Sequence, residues 1–353
     1  MMARRSLLGQ SLPPSVDAFL VTSLVNVRYL TGFTGSNAAA LVDREGSVVL
    51  ATDGRYATQA MAECPDVELL ITRTVGPSLV AHVLKRDLRR LAVEHHHVTL
   101  TGFAQLQEAA AGSLEFVDGE QSVERLRTVK DEREIALIRA ACQITDEVFA
   151  AALELIRPGV TEQEVAWHLR RLMHDRAAEP AFDSIVAFGE NSAEPHHEPT
   201  DRALGRGDLV KMDFGTAVDG YHSDMTRTVV CGPPAAWQQE VHDLVRVVQE
   251  EARDQVRPGA IPVELDADVR ARIEATGHEV AHGLGHGVGL EIHESPFLVP
   301  GSAAARLVDR VAVTVEPGIY LPGRGGVRIE DTVLVGEAGA ESLTSSPREL
   351  ISI

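Results

Sequence analysis

Four acids stand in or beside apolar, β-branched runs of the chain: Asp213 in VKMDFG, Asp224 in HSDMTRT, Glu316 in TVEPG and Glu330 in VRIED. A carboxylate in such a run is costly to bury unless it meets a cation or several hydrogen-bond donors. Any one of them alone reads as a strand-end acid reaching solvent. Four in one region shift the reading towards a shared metal site, because two-metal hydrolysis needs carboxylates able to bridge ions about 3.5–4 Å apart.

The stretch EVAHGLGHGVGLEIHE (279–294) adds His282, His286 and His293. His282 and His286 have the spacing of the helical zinc motif H-E-x-x-H, but Gly283 stands where the general-base glutamate belongs, and glycines interrupt any helix. A helical zinc site is therefore excluded. No G-x-G-x-x-G turn opens a helix followed by a ribose-binding acid, so a dinucleotide site has no support. The glycine-rich backbone suits a tight loop or strand approach in which imidazoles converge on one point. A Pro-flanked loop, NSAEPHHEPTDR (191–202), carries His196 and His197, and spacing leaves open whether it is plain surface or overhangs a cleft. The triplet His95–His97 reads as an exposed loop.

These side chains need rigid elements to hold them. Residues 16 to about 117 alternate β-like runs (VDAFLV, AAALV, SVVLA, VELLI, LAVE) with helix-like stretches at 55–63 and 77–90, the pattern of a small α/β domain. TGFTGSN (31–37) and TDGRY (52–56) are turns within it. From about Ser122 the texture changes: VERLRTVKDEREIALIRAACQITDEVFAAALELI reads as one long helical pattern that ends at Arg157-Pro158-Gly159. Thr161 and Glu164 then make a capping box for the next helix. Domains are expected at 1–121 and 122–353.

ELIRPGVTEQEV (154–165) is echoed by DQVRPGAIPVEL (254–265), a weak internal repeat, and each copy is followed by β-like runs bearing two of the four acids. The pattern predicts two related halves facing each other across a shared sheet, with one site between them.

Composition narrows the function further. The 353 residues, 44% hydrophobic, suffice for two cores. A formal charge of -19 repels phosphate backbones and anionic lipid, which makes nucleic acid and membranes poor partners. The basic start MMARRSLLGQSLPPS lacks a signal-peptide core, so a cytoplasmic location is expected. Cys64, Cys142 and Cys231 have no metal-like spacing and suit reduced, structural thiols.

PHHEPTD (195–201), KMDFGTAVDGYHSDMTRT (211–228), HGLGHGVGLEIHE (282–294), TVEPGIY (314–320) and GVRIEDT (326–332), with the VERLRTVKDEREI lead-in, resemble the metal-dependent pita-bread peptidases: aminopeptidase P, prolidase and methionine aminopeptidase. RYLTGFTGSNAAAL and TDGRY resemble the amino-terminal domain of the first two. The resemblance implies an α/β (α+β) chain whose catalytic domain has two pseudo-symmetric halves. It implies a dinuclear site of Asp213, Asp224, His286, Glu316 and Glu330, with Asp224 and Glu330 bridging two divalent ions. Manganese suits the oxygen-rich set, with cobalt or zinc as alternatives.

The implied reaction is hydrolysis of an Xaa-Pro bond by a metal-bridging hydroxide. Glu316 would move the proton, His196, His282 and His293 would hold the carbonyl and oxyanion, and Arg328 matches a site arginine of the proline-specific members. Aminopeptidase P activity is expected on the likeness of RYLTGFTGSNAAAL, with dipeptide-only prolidase as the alternative. A metal-free hydrolase or a binding protein on the same fold is more remote, because no ligand is missing. Peptide substrates and a homodimer are expected by resemblance.

Overall fold

The β-like runs of the amino-terminal region pair into one sheet, and their apolar residues leave little choice of where it goes. In the computed structural model, which describes residues 1–353, the chain divides into units Met1–Arg127 and Thr128–Ile353. The first unit holds β1 (Ala18–Val21), β2 (Ala38–Asp43), β3 (Val48–Thr52), β4 (Glu68–Ile71), β5 (Arg90–Val93) and β6 (Glu115–Asp118), in the order β4-β3-β2-β1-β5-β6. β2 runs antiparallel to both neighbours and the other pairs are parallel. The sheet is accompanied by α1 (Met2–Ser11), α2 (Leu24–Thr31), α3 (Ala57–Glu63), α4 (Val75–Lys85) and α5 (Leu100–Ala110). β1 to β3 are buried along their whole length, as runs without polar alternation must be. His95, His96 and His97 lie on an exposed loop after β5, as expected.

Two expectations about the junction change. The unit ends after Arg127, several residues beyond the expected 121, because α6 (Ser122–Thr128) buries Val123 and Arg127. The Arg127 guanidinium donates to Asn26 Oδ1 at 2.9 Å. The single long helix is also two: α7 (Glu132–Leu153) starts afresh behind Asp131, whose carboxylate accepts from the Glu134 amide at 2.9 Å while Glu134 accepts from Asp131 N at 2.8 Å. Between them Lys130 N donates to Arg310 O at 2.8 Å, a strand-like bond that no helix accommodates.

The second unit carries the repeat. α7 and α9 (Ala236–Gln255) each run into Arg-Pro-Gly and then into a 13-residue helix, α8 (Glu162–His174) or α10 (Pro262–Glu274). Gly159 and Gly259 take φ of 94° and 89°, which a side chain would strain. Their amides reach equivalent acceptors, Leu204 O at 2.9 Å and Leu307 O at 2.8 Å. The Thr161–Glu164 capping box is formed as expected.

The remaining strands are β7 (Glu179–Pro180), β8 (Ile185–Phe188), β9 (Leu209–Phe214), β10 (Thr216–Val218), β11 (Tyr221–His222), β12 (Met225–Val230), β13 (Gly285–Gly287), β14 (Glu294–Leu298), β15 (Ala312–Val315), β16 (Gly318–Leu321), β17 (Gly325–Arg328), β18 (Asp331–Gly336) and β19 (Gly339–Ser342). By backbone pairing the halves do not share one sheet: the first builds β12-β9-β8 and the second β14-β13-β15-β18-β19. α7 and α8 pack an apolar core on the first sheet, and α9 and α10 pack another on the second. The halves are stitched by threonines instead. Thr332 Oγ1 accepts from Asp224 N at 3.0 Å, and Glu330 N donates to Thr226 O at 3.1 Å. No helix is long and apolar enough to cross a membrane, and the three cysteines are free and buried.

Candidate metal centre

The repeat places the acids symmetrically. Asp213 lies near the end of β9 and Asp224 just before its antiparallel partner β12; Glu316 follows β15 and Glu330 precedes its partner β18. His286 is the middle residue of β13, which pairs with both β14 and β15. That approach requires glycine beside the histidine, since a Cβ on Gly285 would meet Thr314 O at 2.2 Å. Every residue expected at the site lines one cleft of about 360 Å³: the five candidate ligands, His196, His282, His293 and Arg328.

Asp224, His286 and Glu330 are buried and bring ligand atoms within 4.8 Å of one another. His286 Nε2 lies 3.6 Å from Asp224 Oδ2 and 3.4 Å from Glu316 Oε1. Its Nδ1 faces Gly287 O at 3.1 Å; a carbonyl only accepts, so Nδ1 carries the proton and Nε2 presents a lone pair to the acids. Asp213 leans on Arg328, whose Nη2 donates to Oδ2. The other oxygens, Asp213 Oδ1 and Asp224 Oδ1, are buried with no hydrogen-bond partner.

The charges are crowded beyond what one arginine balances. Burial, reinforced by Glu330 and Asp213, drives the Asp224 carboxyl well above the usual carboxylate range. Burial, then Glu316 and Asp213, does the same to Glu330. Glu316 is pushed up to about 8 by burial, with Arg328 opposing and Asp213 adding. Burial lowers His286 to about 4, keeping the imidazole neutral. Buried acceptors without donors normally mark a missing partner. Here the oxygen-rich donor set and the free imidazole lone pair fit divalent cations.

The outer residues divide into two kinds. His196 and His293 stand exposed in the cleft with rings free of protein hydrogen bonds. His282 is different. Its Nδ1 faces Gly283 O at 2.8 Å and its Nε2 meets the Tyr320 hydroxyl at 2.8 Å, so both nitrogens are engaged and the expected free donor is absent. Arg328 is buried and heavily engaged: besides the Nη2 bond to Asp213, Nε donates to Thr226 Oγ1 at 3.0 Å, and Nη1 to Tyr320 OH at 2.7 Å and Pro195 O at 3.2 Å. His197, the neighbour of His196, turns away from the cleft into a buried contact with Glu162 at 2.9 Å.

Sequence reasoning missed Tyr320, Thr226 and Lys211. Thr226 Oγ1 donates to Glu330 Oε2 at 2.6 Å, while Tyr320 joins Arg328 to His282. Lys211 alone left a signal, as a lysine inside the apolar run LVKMDF.

Comparison with known proteins agrees with this geometry. The model of metallopeptidase family M24 matches residues 136–337, and that of the creatinase/prolidase N-terminal domain matches residues 14–129. An Xaa-Pro dipeptidase of Pyrococcus horikoshii is 37% identical over 348 residues, covering 96% of this chain and 95% of its own. Among solved structures, an Xaa-Pro dipeptidase from Bacillus anthracis superposes with a TM-score of 0.94 at 35% identity, over 100% of this chain and 99% of the other. An X-Pro aminopeptidase from Thermotoga maritima gives a TM-score of 0.88 at 36% identity, over 96% and 98%.

Proposed function

The chain belongs to metallopeptidase family M24, and on that footing we propose that it hydrolyses Xaa-Pro dipeptides with two divalent metal ions. The observation that carries the reading is the buried group of Asp224, His286 and Glu330, with the unpartnered oxygens of Asp213 and Asp224 beside it. The dipeptide preference replaces the expectation of aminopeptidase P activity. It is supported by the Xaa-Pro dipeptidases that match over nearly the whole chain. The Thermotoga maritima likeness keeps removal of a residue from longer peptides as the second reading.

In this reading Asp213, Asp224, His286, Glu316 and Glu330 would hold the ions, with Asp224 and Glu330 as the carboxylates that would be shared between them. Manganese suits four oxygen ligands and one imidazole; cobalt and zinc are compatible. The ions would supply an acidified water and a polarised scissile carbonyl. Glu316, with one edge open to the cleft, takes a proton and returns it to the leaving proline nitrogen. That return matters for this bond, because the nitrogen is tertiary and carries no hydrogen of its own. His196 and His293, with uncommitted ring nitrogens, donate to the carbonyl oxygen as charge develops, each worth about 3–4 kcal/mol in well-placed cases. His282 and Arg328 share Tyr320, which holds both against the cleft wall. A cytoplasmic homodimer completes the proposal.

The test is a length series on manganese-loaded protein: Ala-Pro, Ala-Pro-Ala and Ala-Ala. Turnover concentrated on Ala-Pro supports the dipeptidase. Comparable release of alanine from Ala-Pro-Ala would favour the second reading, and cleavage of Ala-Ala alone would remove both.

A further inference from the structure

Lys211 is an unusual occupant for the centre of a sheet. It lies on β9, the middle strand of β12-β9-β8, with its side chain wholly buried. It precedes Asp213 by two residues, so both side chains face the same side of the strand. A buried amino group is costly unless its N–H groups are hydrogen-bonded. Here Nζ donates to Glu194 O and, at 3.3 Å, to Pro195 O, and it sits 5.1 Å from the centroid of the Tyr320 ring.

Those two carbonyls belong to the residues immediately before His196. Pro195 O also accepts from Arg328 Nη1 at 3.2 Å. On the far side of His196 the backbone is gathered by buried Glu162. Its carboxylate receives Thr200 N at 2.9 Å and Thr200 Oγ1 at 2.6 Å, and meets His197 Nε2 at 2.9 Å. His196 is thus the one imidazole of the pair left free, on a segment pinned before and after it.

We infer that Lys211 is a positioning residue that fixes the 194–195 backbone so that His196 meets the substrate. The inference rests on the reading of His196 as a donor to the substrate. Its energetic signature is coupling: removing the Lys211 N–H bonds to the 194–195 carbonyls acts only through His196, so the two losses do not add.

The test is a double-mutant cycle of Lys211→Met, His196→Ala and the pair, each loaded with manganese and assayed on Ala-Pro. Misplacing a donor by about 1 Å can cost on the order of a hundredfold. We expect Lys211→Met to lower kcat/KM by roughly tenfold to a hundredfold, mostly in kcat, and the double variant to be no worse than His196→Ala. Hydrogen exchange in Lys211→Met should speed up at residues 194–198 and stay unchanged along β9 and β12. If Lys211→Met does not fold, Lys211→Gln enters the same cycle. Additive losses, an unaltered kcat/KM for the Lys211 variant, or faster exchange along β9 would overturn the inference. An unaltered kcat/KM for His196→Ala would sink the reading of His196 and this inference with it, whereas the other failures leave that reading intact.

Discussion

At the scale of single residues, the cleft holds more negative charge than its one buried arginine offsets, and the molecule without metal should register that. The Glu316 carboxyl, at about 8 when folded, holds its proton over a range where an unfolded glutamate has lost it. The folded state therefore binds more protons between about pH 5 and pH 8, and the Glu316 contribution to stability falls as pH rises through that window. In chelator-treated protein, thermal melts of Glu316→Gln and the parent should diverge with rising pH, the variant gaining relative to the parent. Parallel curves would show that burial does not hold the Glu316 proton in the folded state.

Asp224→Asn and Glu330→Gln are expected to lose bound metal and turnover on Ala-Pro by several orders of magnitude while far-ultraviolet circular dichroism is retained. Full activity in either contradicts the bridging assignment. The acids, His286 and Arg328 were legible because each stands in a motif with few alternatives. The engagement of His282 was not, because Tyr320 lies thirty-eight positions away and only folding brings them to 2.8 Å.

At the scale of elements, the strands and the two Arg-Pro-Gly breaks could be read from apolar runs and punctuation. The split between α6 and α7 could not. Helical periodicity continues straight through Val129 and Lys130, and what stops the helix is pairing with Arg310 and Val311, far along the chain. The shared sheet failed for a similar reason: the repeat reveals equivalent strands but not whether their edges pair or are stitched by Thr226 and Thr332.

The close packing of β13 gives a test at this scale. Gly285→Ala places a methyl against Thr314 O, a backbone atom that cannot step aside. Such overpacking costs about 1–3 kcal/mol. The variant should melt earlier and bind metal more weakly, because the displaced strand carries His286. An unchanged melting temperature and metal affinity would mean that β13 is not held as tightly as its contacts indicate.

At the scale of the whole molecule, the formal charge of -19 includes four carboxylates turned inward, where they repel one another and oppose folding until cations arrive. Ligands that bind only the folded state stabilise it by mass action, about 2.7 kcal/mol at a hundredfold excess over Kd. Manganese should therefore raise the melting temperature of chelator-stripped protein, and the gain should vanish in Glu330→Gln. The most direct test of the account is to titrate stripped protein with manganese while counting bound ions and following Ala-Pro hydrolysis on the same samples. Turnover is expected to follow occupancy and to level off at two ions per chain. Full turnover in the stripped protein, or a plateau reached with no ion bound, would contradict the two-metal reading.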